Sequence, residues 1–190
     1  LWKKDNQLND SDLPSLFQKH GRLIFIDTPH SSKEKKWKET LNQRHSRQNM
    51  EEAKAVIRAL KNFDPARNIV ILTPYNGQVD LIRNLLPSKY EHIEVFTTDG
   101  FQGKEADFIL LSLVRNNLLS GRRRWGFVTD PHRLNVALSR AREGLLLISS
   151  RQQIEESEME DGYDHLLQTL EFIKKHGKVI PIQLLGRSSK

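Results

Sequence analysis

The chain has 190 residues, a net charge of +6, 37% hydrophobic residues and no cysteine. That length favours one domain, able to bury roughly 70% of its unfolded surface without a metal or disulfide staple. The absence of cysteine excludes disulfide frameworks, thiolate zinc sites and cysteine nucleophiles, and the longest nearly apolar run, Phe108 to Val114, is far too short to span a membrane.

No basic segment followed by an apolar one opens the chain, so the expected setting is intracellular, cytoplasmic or nuclear, with no membrane partner. A chain beginning with Leu1 rather than Met is expected to be a piece of something longer. Residues 1–21 read as a polar, irregular lead-in with one apolar turn at Leu13-Pro14-Ser15-Leu16-Phe17. Arg22 to Asp27 is a β-branched and aromatic run closed by Thr28-Pro29, a buried strand. Residues 31–47 carry six cations against Glu34 and Glu39 without clear periodicity, and read as an exposed basic insertion. From Asn49, a suitable N-cap, Ala53, Val56, Ile57, Leu60 and Phe63 form a helical stripe.

Asn68 to Leu72 predicts a second strand, and Val79 to Leu86 a helix that Pro87 stops. Ile93 to Thr97 and Asp107 to Val114 predict two more strands. Pro131 to Arg142 reads as a helix capped by Asp130 and broken by Gly144, with Leu145 to Ser149 as the fifth strand. Tyr163 to His176 predicts the last helix, followed by a short strand at Val179-Ile180. Strands apolar on both faces, alternating with helices, imply a parallel sheet covered on both sides. The expected organisation is a three-layer α/β domain over residues 22–182, with a tail at 183–190.

Between Arg115 and Arg142 stand seven arginines, no lysine and one acid, Asp130. Guanidinium forks pair with phosphate through two parallel hydrogen bonds, although a solvated basic loop explains Arg122-Arg123-Arg124 equally well. The chain lacks a G-x-x-x-x-G-K-[ST] phosphate loop, a G-x-G-x-x-G dinucleotide turn, H-E-x-x-H and G-x-S-x-G. Its seven histidines have no metal-ligand spacing, and each is expected at the surface. What remains are polar clusters near strand ends, where open α/β sheets bind ligands.

Three such clusters stand out: Thr73-Pro74-Tyr75-Asn76-Gly77-Gln78, Thr97 through Glu105, and Arg133 through Arg142. Paired glycines and threonines offer N–H groups to an anion, and Asp99 and Glu105 add acceptors. Taken alone, Arg140 reads as a salt-bridge partner or a phosphate contact, and Phe101 as a core anchor. Together the clusters resemble motifs IV, V and VI of superfamily 1 helicases, in the subgroup of the RNA-surveillance helicase, senataxin and the immunoglobulin mu-binding helicase. T/S-P-Y-x-x-Q is met by Thr73, Pro74, Tyr75 and Gln78; D-x-F-Q-G-R/K-E-x-D-x-I-I-x-S-x-V-R by Asp99 through Arg115, with Leu110 varying the apolar pair; R-x-N-V-A-x-T/S-R-A-R by Arg133 through Arg142.

The resemblance covers about residues 22–180 and implies the second RecA-like domain of a helicase motor, with a P-loop NTPase fold but no P-loop of its own. It implies that ATP and Mg²⁺ are held between this domain and an N-terminal RecA-like domain of the same protein that carries the metal ligands. Arg140 would be the arginine finger, supported by Arg142 or Arg133. Glu105 would accept from the ribose hydroxyl, Gly103 would let the backbone approach the phosphates, and Gln102 would couple nucleotide to strand. Thr73, Pro74, Tyr75, Asn76, Thr98 and Arg115 would line a face for single-stranded RNA or DNA. Two other readings remain: a non-hydrolysing nucleic-acid-binding module, or an interaction scaffold docking through residues 31–47.

Overall fold

A computed structural model describes residues 8–130, 134–135, 138–159 and 164–185. Its strands are β1 (Leu23–Asp27), β2 (Thr40–Leu41), β3 (Arg47–Gln48), β4 (Ile69–Thr73), β5 (Glu94–Thr97), β6 (Ala106–Ser112), β7 (Ala141–Ser149) and β8 (Lys178–Pro181). The helices are α1 (Ser15–His20), α2 (Met50–Leu60), α3 (Asn76–Leu85), α4 (Arg122–Trp125), α5 (Arg151–Glu155) and α6 (Asp164–His176). Among the described residues, six strands pair in parallel in the order β5-β4-β6-β7-β1-β8, and β2 and β3 form a separate antiparallel hairpin.

The middle of each central strand is apolar because both of its faces are covered. Ile71, Leu110, Leu146 and Ile148 pack with Phe17 of α1, Val56 of α2 and Ile82 of α3. Leu72, Ile109, Leu111 and Leu147 face the other way, toward Trp125, Leu166, Leu170 and Ile173. This is the expected three-layer α/β architecture, a RecA-like fold. Asn49 caps α2 as predicted, its side chain accepting from the Glu52 N–H at 3.1 Å. Phe101 is the core anchor its sequence context suggested, 1% exposed and packed on Phe96.

Four expectations about the fold are corrected. Residues 15–20 form a helix rather than irregular chain, because Phe17 finds Phe108 and Phe63 at ring distances of 5.5 and 5.7 Å. Burying such a ring contributes about 2–3 kcal/mol, enough to hold one and a half turns that propensity alone would not.

The helix expected over residues 131–142 does not reach Arg142. Positions 134–135 and 138–139 are helical, Arg140 is a bend, and β7 begins at Ala141 rather than Leu145; Pro131 and Arg133 lie outside the described residues. Gly144 is therefore not a helix breaker but an interior strand residue. A Cβ there would come within 2.9 Å of both the Phe108 and Phe17 rings, so only glycine fits.

Residues 31–47 are also not simply exposed. Trp37 and Glu39 are buried, the β2–β3 hairpin closes over the turn at Asn42–Ser46, and Ser46 Oγ accepts from the Gly77 N–H at 2.9 Å. Four lysines hide one tryptophan and one acid with inward roles, which the charge count obscured. His30 is likewise buried, its Nδ1 2.7 Å from Ser32 Oγ and its Nε2 2.7 Å from Gln153 Oε1.

Candidate functional site

In a parallel sheet all strands start at one edge and end at the other, about 20 Å apart for a seven-residue strand. The candidate residues divide between these two edges. Gly103, Glu105, Arg140 and Arg142 gather at the N-terminal edge of β6 and β7; Thr73, Pro74, Tyr75, Asn76, Thr98 and Arg115 lie at the C-terminal edge of β4, β5 and β6.

At the N-terminal edge, the Ala106 N–H donates to the Arg140 carbonyl at 3.1 Å, which locks the two strand starts together. The register then slips, with Ala106 opposite Ala141 but Phe108 opposite Gly144. The extra residue on β7 re-aims the side chains before it, as bulges do. Arg142 Nε lies 3.2 Å from Asp107 Oδ1, a half-exposed pair. Arg140 is less well matched: its Nη1 is 3.9 Å from Glu105 Oε1, and its Nε is buried without a hydrogen-bond partner among the described residues. Its side chain is one-third exposed. An orphaned guanidinium N–H next to a loosely held acid is a group that an anion would satisfy.

Gly103 has φ +83°, and a Cβ there would touch nothing within 4 Å. Glycine is thus required by the left-handed turn rather than by crowding. Gln102 and Glu105 are exposed.

The two edges are joined by one short segment. Residues 98–105 pass from the end of β5 to the start of β6 with a single 3-10 turn at Asp99–Phe101 and no α-helix. Eight residues extend to at most about 28 Å, so a path of about 20 Å leaves little slack. Phe101 pins this strap to the core, and the Lys104 ammonium sits 4.2 Å above the Phe96 ring.

The C-terminal edge is more internal than the motifs suggested. Pro74 and Asn76 reach the surface, whereas Thr73, Tyr75, Thr98 and Arg115 are buried. The Tyr75 hydroxyl donates to the Trp125 carbonyl at 3.2 Å, and burial pushes its phenol up against the opposing pull of Arg115. Arg115 donates to the carbonyls of Arg123 and Arg124 and lies 3.3 Å from Glu39 Oε1. Burial lowers its pKa, while Tyr75 and Glu39 favour its charged form. Thr73 Oγ1 is buried without a partner among the described residues. A pocket of about 440 Å³ opens over this edge, lined by Arg47, Tyr75, Arg115, Leu119, Arg123, Gly126 and Phe127.

Of three buried acids missed by sequence reasoning, Glu39, Glu52 and Glu143, the first two organise this edge. Glu39 accepts from the Asn116 N–H at 2.6 Å, Asn117 Nδ2 at 2.9 Å and Arg47 Nη1 at 3.2 Å, tying the hairpin to the chain after β6. Glu52 Oε2 accepts from Ser112 Oγ at 2.7 Å and the Val114 N–H at 2.8 Å, and so holds Val114 at φ +70°. Gln78, of the first motif, completes this network: its Oε1 accepts from the Asn49 N–H at 2.7 Å and its Nε2 donates to Ser112 Oγ at 3.1 Å. The only local signal for Glu52 is its place on the apolar side of the α2 stripe.

Burial raises the Glu52 pKa from 4.5 to about 8, opposed by the hydrogen bonds from Ser112 and Val114. The folded chain therefore keeps a proton that the unfolded chain releases above pH 4.5. Stability should fall as pH rises through that window, by at most about 1.4 kcal/mol per unit. Glu52→Gln should flatten this slope and raise the melting temperature most near pH 8. Parallel melting curves of both proteins from about pH 5 to 8 would contradict this placement.

A family model described as an AAA domain matches residues 3–152. The chain belongs to this AAA domain family, within the superfamily 1 helicases. It is similar to the "Regulator of nonsense transcripts 1 homolog" of Neurospora crassa, 40% identical over 121 residues, covering 60% of this chain and 10% of that protein. It is 45% identical over 102 residues to the "Helicase required for RNAi-mediated heterochromatin assembly 1" of Schizosaccharomyces pombe, covering 52% of this chain and 10% of that protein. The "DNA-binding protein SMUBP-2" of Mesocricetus auratus is 33% identical over 114 residues, 60% of this chain and 11% of that protein. This helicase-family motor domain thus spans about a tenth of the curated relatives it matches. Among its described residues, no helix is long and apolar enough to cross a membrane.

Proposed function

We propose that this motor domain is one half of an ATP-driven translocase on single-stranded nucleic acid, with Arg140 as its arginine finger. The observation that carries the reading is Arg140 itself: a guanidinium at the sheet's N-terminal edge, its Nε without a partner among the described residues and its acid neighbour at 3.9 Å. The residues there fit a nucleotide's polyphosphate and ribose, since the Arg140 Nε has no acceptor among the described residues, Gly103 leaves open space beside its backbone, and Glu105 is an exposed acceptor.

ATP, when bound, supplies a phosphoanhydride whose γ-phosphate is transferred to water. Arg140 holds a fixed positive charge where negative charge builds during that transfer. Arg142, paired to Asp107, steadies the bulged start of β7 from which Arg140 projects. Glu105 accepts from a ribose hydroxyl, and Gln102 and Gly103 present the strap's backbone. Mg²⁺ would come with the nucleotide on a second RecA-like domain of the same protein, which contributes the phosphate loop this chain lacks. The strap at 98–105 then passes closure of that cleft to the C-terminal edge, where Pro74 and Asn76 meet the strand while Thr73, Tyr75, Thr98 and Arg115 shape the surface from beneath.

This division of labour is tested by separating the parts. The 190-residue chain alone should release no phosphate from ATP above background, whereas the full-length protein should do so with strand stimulation. Steady turnover by the isolated chain, unchanged by Arg140→Ala, would falsify the half-site reading. Strand affinity of the full-length protein should also fall steeply between low and physiological salt through counterion release. A salt-insensitive titration would point to base-edge or apolar recognition instead.

A further inference from the structure

We propose that the pocket at the C-terminal edge between β4 and β6 takes one nucleotide of the single strand, its base against Phe127 and the flanking phosphates on Arg47 and Arg123. This rests on the strand-binding reading above and adds three gripping residues, Arg47, Arg123 and Phe127, all outside the family motifs.

The first observation is topological. From β4 the chain passes to β5 on one side, and from β6 it passes to β7 on the other. Adjacent strands whose onward connections diverge leave a crevice beyond their C-terminal ends, where open α/β sheets bind ligands. Tyr75 follows β4 and Arg115 follows β6, and both line the pocket of about 440 Å³ found there.

The second observation is chemical. Three guanidinium groups, Arg47, Arg115 and Arg123, face this pocket, and among the described residues one carboxylate, Glu39, binds both Arg47 and Arg115. Phe127 stands at its rim 58% exposed, its ring 5.8 Å from that of Tyr75 at an angle of 44°. A large exposed ring beside surplus cationic charge matches a stacked base between phosphates, and neither a purely apolar nor a purely anionic ligand would use both.

The third observation is rigidity. Buried Arg115 ties the Arg123 and Arg124 carbonyls to the end of β6, and the Tyr75 hydroxyl ties the Trp125 carbonyl to the end of β4. The loop presenting Arg123 and Phe127 is thus held in place before a strand arrives, which lowers the ordering cost of binding.

The test uses the full-length protein, a labelled oligothymidylate and a fully abasic strand of equal length. Phe127→Ala should weaken oligothymidylate binding on the order of ten-fold, leave its salt slope unchanged, and bind the abasic strand as the parent does. Phe127→Trp should retain affinity, and Arg123→Gln should lower the salt slope by about one. Equal oligothymidylate affinity for the parent and the alanine variant, with salt-dependent binding intact, would remove the stacking pocket and leave the motor reading standing. A parent with no salt-dependent strand binding would remove both. Competition by free thymidine monophosphate as effective as that of the strand would reassign the pocket to a small ligand and overturn the proposal.

Discussion

Replacing Arg140 with alanine should cut strand-stimulated ATP turnover by the full-length protein at least about 10³-fold, the lower range for an arginine finger. Strand affinity and melting temperature should barely move, because the pair with Glu105 is long and solvent-screened and its loss costs little stability. Arg140→Lys should fail nearly as badly: an ammonium keeps the charge but cannot span two phosphate oxygens with a planar fork. The opposite pattern, lost stability with lysine rescue and near-normal turnover, would identify Arg140 as a structural ion-pair residue. Turnover assays and melting curves on both variants separate the two.

Glu39→Ala should be the most destabilising of the single changes discussed, by about 3–5 kcal/mol, or a melting shift of roughly 10 °C. The carboxylate is 2% exposed and accepts from Arg47, Asn117 and the Asn116 backbone, with Arg115 beside it at 3.3 Å. Removing it strands the Arg115 guanidinium, itself 1% exposed, without a counter-charge. The loop carrying Arg123 and Phe127 hangs on that guanidinium, so strand affinity should fall with stability, unlike the Arg140 case. A variant melting within a degree or two of the parent would show that water or the carbonyl bonds suffice for Arg115.

The family was legible because its motifs are contiguous. Asp99 to Arg115 and Arg133 to Arg142 pack glycine, acid and arginine into short stretches whose spacing survives in one dimension. The alternation of apolar runs with amphipathic stripes predicted a covered parallel sheet for the same reason: periodicity is a local property. Residue types in the motifs were therefore readable, but their exposure was not. Thr73, Tyr75, Thr98 and Arg115 read as a surface and lie beneath one.

The sequence by itself determined the layered α/β class, the helix cap at Asn49, the core role of Phe101, the superfamily 1 helicase kinship and the lack of a phosphate loop. Tertiary structure alone decided three things. Ala141 to Gly144 became strand because β6 offers a parallel edge and Phe17 and Phe108 leave no room for a Cβ at Gly144, which overrides local helix preference. Glu39 and Glu52 turned inward because, Arg47 apart, the partners that hold them lie about 60 to 80 residues away, beyond any local pattern. The pocket at Phe127 exists only where β4 and β6 send the chain in opposite directions, and strand order is a property of the sheet rather than of any segment.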